Sequence, residues 1–183
     1  MFGHASFFAH PVSCHFLAGL IGRWRLTREI ADFRAGTEAH LRAIAEFSPE
    51  SPLDAHQIAP ARPDAGGVPF GLVLRERGDL HIAGHPPMPA EQGYLWRSHP
   101  QGVAVFFGDG RSFHRFALPQ TAAIPDPQDA PNASHWCDPD HYRVRYDFAA
   151  LALGRWQMVW HVQGPRKSYE SRSLFERLAP PKA

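Results

Sequence analysis

Cysteine is nearly absent from this chain: 183 residues contain two, Cys14 and Cys137. They lie far apart and follow no Cys-x-x-Cys spacing, so neither a disulfide scaffold nor a zinc ribbon is indicated, and a reduced, cytoplasmic setting is the expectation. No run approaches the ~20 apolar residues that would span a bilayer, and no membrane partner is expected. The segment from Met1 to Ile21 has no Lys or Arg ahead of its apolar part and is interrupted by His10-Pro11, which makes it a poor signal peptide. An excess of one charge is also missing, since 19 Lys and Arg stand against 18 Asp and Glu. A net charge of +1 carries no global field of the kind that announces nucleic acid, and no such partner is expected. Finally there is no glycine-rich phosphate loop, no Gly-x-Ser-x-Gly elbow and no His-Glu-x-x-His pair, so the large enzyme classes built on them find no support.

What the chain does have is apolar and aromatic residues, 44% and 12% of the total, enough for one globular domain with a real core. Their spacing is almost everywhere two rather than 3.6. In residues 22–33, Trp24, Leu26 and Ile30 alternate with Arg23, Arg25, Thr27 and Glu29, which reads as a strand with one buried face that Arg28 breaks. A turn at Arg34-Ala35-Gly36-Thr37 leads to a hairpin partner carrying Leu41, Ala43, Ala45 and Phe47. Residues 48–69, with five prolines and Gly66-Gly67, read as a long surface loop. Strands follow over 70–77 and 80–83 with a turn at Gly78-Asp79, and over 93–98 after the connection Pro86-Pro87-Met88-Pro89. Residues 103–107 and 111–118 then flank Asp109-Gly110, a strong hairpin signal. Residues 119–133 form a second proline-rich loop, and the last strands cover 141–148, 155–163 and 167–178. Residues 1–15 read as a short N-terminal arm or helix laid across one end.

This predicts an all-β, closed antiparallel up-and-down barrel of about eight to ten strands over residues 16–178, because closure removes exposed edges. A two-sheet sandwich fits the same pattern. The barrel is preferred because the first and last strands both alternate strongly, as if each were paired on both sides. A Gly-x-Trp opening the first strand, with Arg177 ending the last, resembles the calycin and lipocalin pattern, in which that arginine packs over that tryptophan. Arg177 is expected to cover Trp24 through a cation to ring contact worth about 1 kcal/mol.

With Trp24 inside, the period of two assigns an inner face to every strand. All four tyrosines, Tyr94, Tyr142, Tyr146 and Tyr169, fall on it, together with Trp96, Trp160, His114 and Arg28. A purely structural core would use Leu, Ile and Phe, since each buried phenol or guanidinium without a partner costs about 1–3 kcal/mol. These eight residues are therefore the expected lining of a polar cavity holding one small aromatic or anionic molecule. Arg28, whose protein partner could be Glu76, is the expected contact for a ligand carboxylate or enolate. Hydroxyls turned to strand ends or to water are the bland alternative.

An enzyme using the same pocket, an isomerase, cyclase or lyase in which His114 or Tyr146 moves a proton, is the second reading. A structural or adaptor protein using the Arg166-Lys167 turn, with no cavity, is the third. His135-Trp136-Cys137-Asp138-Pro139-Asp140-His141 gathers metal-ligating types in one stretch, yet the spacing matches no familiar site and Asp138-Pro139-Asp140 is an ordinary turn. No metal is expected there. His135, Cys137 and His141 are the residues that would serve one, and Cys137 is the alternative nucleophile, with His135 or His141 as its base. Haem with His114 as axial ligand is a further possibility, and neither cofactor nor oligomeric state is fixed by the sequence.

The stretch 22–30, then Tyr94-Leu95-Trp96, residues 107–114, residues 135–142, Tyr146-Asp147-Phe148 and residues 160–167 together resemble the landmarks of a family known as domain of unknown function six-three-one-four. The resemblance covers residues 16–178 and implies a small, stand-alone bacterial barrel. It directs attention to Trp24, Arg28, Arg111, His114, His135 and Cys137, and to Asp140, Tyr142, Arg166, Lys167 and Tyr169. Ser168 stands where the family's motif usually has an acid, and the 48–69 loop is longer than usual.

Overall fold

The computed structural model describes residues 11–50, 70–118 and 132–179. A helix, α1 (Pro11–Leu20), precedes ten strands: β1 (Gly22–Asp32), β2 (Thr37–Pro49), β3 (Gly71–Ile82), β4 (Met88–His99), β5 (Gly102–Phe107), β6 (Ser112–Ala117), β7 (Asn132–Cys137), β8 (Asp140–Asp147), β9 (Arg155–Gln163) and β10 (Ser168–Arg177). A single 3-10 turn, Leu151–Leu153, joins β8 to β9. All the pairings are antiparallel, in the order β6-β5-β4-β3-β2-β1-β10-β9-β8-β7. First and last strands thus meet in the middle of the sheet, Trp24 opposite Arg177.

The sheet curls until its two outer strands face each other. Among the described residues no ladder joins β6 to β7, and the seam is bridged by side chains instead: the Phe113 and His135 rings lie 5.1 Å apart. This is a nearly closed barrel rather than a sandwich, with one seam held by ring packing where the others are held by backbone hydrogen bonds.

Period-two burial makes the core. On β1 Trp24 and Leu26 are fully buried between exposed Arg23, Arg25 and Thr27, and on β2 Leu41, Ala43, Ala45 and Phe47 face inward. Trp156 stacks on Phe175 at 3.7 Å between centroids and meets Trp24 edge-on at 6.3 Å.

The helix shuts one end of this core. It runs to Leu20, beyond the expected limit at His15, with Leu17 and Leu20 buried and the Phe16 ring 4.7 Å from Phe148. A helix ends with carbonyls that have no partner of their own, and here the barrel supplies donors. Trp24 Nε1 donates to Leu20 O at 2.8 Å, Arg177 Nη1 to Ile21 O at 2.9 Å, and Arg177 Nη2 to Gly19 O. The Arg177 guanidinium also lies over the Trp24 ring at 4.2 Å, as the sequence predicts.

Several strand boundaries also differ from the sequence reading. The expected turn at Gly78-Asp79 does not exist, because β3 runs straight through it. Gly78 is there for contact: a Cβ at that position would lie 2.0 Å from Arg42 O and 2.4 Å from Ala43 Cα, so only glycine lets β3 close against β2. The chain reverses instead at residues 83–87, and Met88 and Pro89, expected in a connection, already belong to β4. Strand β7 was not foreseen. Its burial alternates, with Ala133 and His135 half-buried between exposed Asn132, Ser134 and Trp136, but its inner side is small or polar and its one large apolar residue, Trp136, is 62% exposed. The two expected loops are shorter than the sequence reading made them, since Ser48 and Pro49 belong to β2 and Asn132 and Ala133 to β7; residues 51–69 and 119–131 lie outside the described residues, as do residues 1–10 of the expected arm.

Candidate functional site

An up-and-down meander puts alternate connections at opposite ends. The β1–β2, β3–β4, β5–β6, β7–β8 and β9–β10 turns therefore share the end away from α1. Under them lies a cavity of about 390 Å³, inside the range of small-molecule sites and equal to the share of roughly a dozen waters. All eight residues proposed from the sequence as its lining do line it: Arg28, Tyr94, Trp96 and His114 on one half of the barrel, Tyr142, Tyr146, Trp160 and Tyr169 on the other.

Arg28 reaches the cavity from β1. Its Nε donates to Ser173 Oγ, opposite it on β10, at 2.7 Å. Nη2 donates to Glu76 Oε1 on β3 at 3.0 Å and lies 2.9 Å from Oε2. Ala43 and Ala45 on the intervening β2 are small enough to let this pair form. Nη1 has no hydrogen-bond partner among the described residues. Of the two partners the sequence offers Arg28, Glu76 or a ligand anion, the structure shows Glu76, which is buried and balances its charge.

His114 and Tyr146 form the deepest polar pair, Nε2 to Oη at 2.7 Å, with His114 5% and Tyr146 1% exposed. Burial, and to a lesser extent the charge of His135 nearby, lowers the His114 pKa to about 3, so the imidazole is neutral at any ordinary pH. Burial likewise pushes the Tyr146 phenol well above its usual 10. Which of the two donates depends on the tautomer, and Nδ1 is buried without a partner among the described residues.

The wall opposite Arg28 is a stack of rings. Phe113 lies parallel to Tyr94 at 5.8 Å and to Trp160 at 5.2 Å, and against Phe107 at 4.4 Å. Strict alternation puts Phe113 outside, since His114 is inside. The β5–β6 register shifts between Val105 and Phe106, so Val105 pairs with His114 while Phe106 pairs with Ser112. Phe113 is the extra residue of this bulge and turns inward. Its signal in the sequence is the Gly108-Asp109-Gly110 turn just before it. Gln92 was also missed, although it continues the Tyr94, Trp96 alternation; its side-chain amide donates to Tyr94 Oη.

At the rim, Lys167 on the β9–β10 turn donates to Tyr142 Oη at 2.8 Å and pairs with Asp140 Oδ2 at 2.7 Å. Both contacts favour the ammonium and raise its pKa. Gly164 makes room for this carboxylate, for a Cβ there would lie 1.9 Å from Asp140 Oδ1. Of the histidine and cysteine stretch, His135 and Cys137 line the cavity, while His141 packs on exposed Trp136 with ring centroids 6.1 Å apart. The three are not brought together, and no three metal-ligating side chains converge among the described residues. Arg111, singled out by resemblance, pairs with Asp109 at 2.8 Å on the surface.

Fold and site together define a lipocalin-like β-barrel with an aromatic, partly polar interior. The chain belongs to the family of unknown function DUF6314, whose model matches residues 20–177. Among solved structures it is similar to the S-type phycobiliprotein lyase CPES from Guillardia theta, with a TM-score of 0.53 at 12% identity over 90% of this chain and 92% of that one. At this identity the likeness is one of fold. No curated protein matches. Among the described residues no helix is long and apolar enough to cross a membrane.

Proposed function

We propose that this barrel binds one small aromatic molecule under its hairpin end and works in the cytoplasm. The observation that carries the reading is the parallel stack of Tyr94, Phe113 and Trp160 beside a cavity of about 390 Å³. Planar rings prefer such offset stacking, at about 0.5–1.5 kcal/mol per pair beyond the area they bury. An adaptor would need no such space. Between the aromatic and the anionic ligand, the Glu76 carboxylate beside Arg28 favours the aromatic one, because a second anion would meet a guanidinium already neutralised. The enzyme reading gains little from His114, since an imidazole with a pKa of about 3 is a weak base at neutral pH.

Titration with 2-acetylnaphthalene, followed through tryptophan fluorescence, is expected to saturate at one equivalent. Ser171→Phe, which fills the cavity from β10, is expected to abolish that saturation. Absence of saturable binding by the unmodified protein would overturn the reading.

A further inference from the structure

Two polar groups on neighbouring strands of the cavity wall have no hydrogen-bond partner among the described residues. The first is Nη1 of Arg28 on β1. The Nε–Nη2 edge of that guanidinium is spent on Ser173 and Glu76, and Nη1 lies off that edge. The second is the hydroxyl of Ser171 on β10, a residue only 6% exposed that lines the cavity. Ser173 sits opposite Arg28, and Ser171 is the next residue of β10 on the same face. Arg28 and Ser171 are therefore diagonal neighbours, with backbones about 7–8 Å apart, a span that a long side chain covers. Both free atoms remain open to the cavity, unlike His114 Nδ1, which is sealed in packed protein.

The chemistry of the pair narrows what can meet it. A guanidinium has donors and no acceptor, so only an acceptor satisfies Nη1. Glu76 already balances the charge of Arg28, so that acceptor needs no charge of its own. A serine hydroxyl can donate as well as accept, and it can join Nη1 on the same group. We propose that the ligand is a neutral aromatic molecule carrying a hydrogen-bond acceptor, and that Arg28 Nη1 and the Ser171 hydroxyl hold this acceptor against the β1 and β10 wall. The inference rests on the cavity being a site for an aromatic ligand and adds what that ligand must carry and where it is held.

Two probes of the same size and shape test it. Quinoline differs from naphthalene by one ring nitrogen, and in water at pH 8 it is neutral. The ratio of quinoline to naphthalene affinity is expected to fall about threefold in Ser171→Ala, the worth of a neutral hydrogen bond, and about tenfold in Arg28→Lys, the worth of a bond from a charged donor. Lysine keeps a positive charge for Glu76 and has no group in the place of Nη1. Naphthalene affinity is expected to hold steady in Ser171→Ala, which shows that the variant is folded and its cavity intact. The absorption spectrum of quinoline bound to the unmodified protein is expected to be that of the neutral base. A ratio unchanged by either variant overturns the assignment while leaving the binding reading intact. So does a quinolinium spectrum, which would mean a cationic guest paired with Glu76. If the unmodified protein binds neither probe, both fall together.

Discussion

Arg28 and Glu76 reach each other from strands that are not neighbours, Nη2 to Oε2 at 2.9 Å, across the alanines of β2. Both are well shielded, Arg28 with 13% and Glu76 with 3% of its side chain exposed. In such a place the loss of one partner is harsher than the loss of both, because a lone buried charge keeps its desolvation cost without its attraction. Glu76→Leu is expected to lower the unfolding free energy by about 3–5 kcal/mol, and Arg28→Met by a similar amount. The double variant is expected to lose far less than the sum. Urea unfolding of the three variants checks this, and simple additivity would remove the pair from any account of stability.

Arg177 serves the other end of the barrel. Its two donated bonds finish α1, and its guanidinium lies over Trp24. Arg177→Met is expected to cost about 1–2 kcal/mol and to speed hydrogen exchange in the last turn of α1. Affinity for 2-acetylnaphthalene should stay the same, since Arg177 lies outside the cavity. Lysine offers no planar fork to span two carbonyls and is expected to rescue only part of the loss.

The neutrality of His114 has a consequence for acid stability. Its folded pKa of about 3 lies below the unfolded value of 6.5, so as pH falls through 6.5 the unfolded chain takes up a proton that the folded chain refuses. The contribution is fully present above pH 6.5 and is lost progressively down to about pH 3, with a slope of up to about 1.4 kcal/mol per pH unit. His114→Phe is expected to flatten that part of the profile. Stability curves for the two proteins between pH 4 and 7 that run parallel would show that His114 does not carry the effect.

Much of this was legible in residues whose spacing is strict. Trp24 with Arg177, and the inner placement of all four tyrosines, follow from a period of two, since one slip of register would move the whole set to the surface. What escaped did so for local reasons. Phe113 enters through a bulge, which alternation cannot represent. Gly78 looks like a turn residue and is instead a point of strand contact, a distinction that depends on how close β2 comes. Strand β7 escaped because its inner residues, Ala133, His135 and Cys137, are small or polar while its tryptophan faces outward, the reverse of the apolar signal that marks a strand. Glu76 could be named as a possible partner for Arg28, but its choice over a ligand anion depended on two strands meeting across a third.

The unpaired seam between β6 and β7 also bears on what the cavity can hold. A ladder fixes the distance between two strands to within a fraction of an ångström, whereas ring against ring gives a contact that can slide. Parting these two strands would break no backbone bond between them, and both carry residues of the cavity, Phe113 and His114 on one, His135 and Cys137 on the other. The girth of the chamber is therefore adjustable along one line and rigid along all the rest, so guests of graded width should be accommodated by movement at Phe113 and His135 before any other part of the wall gives way.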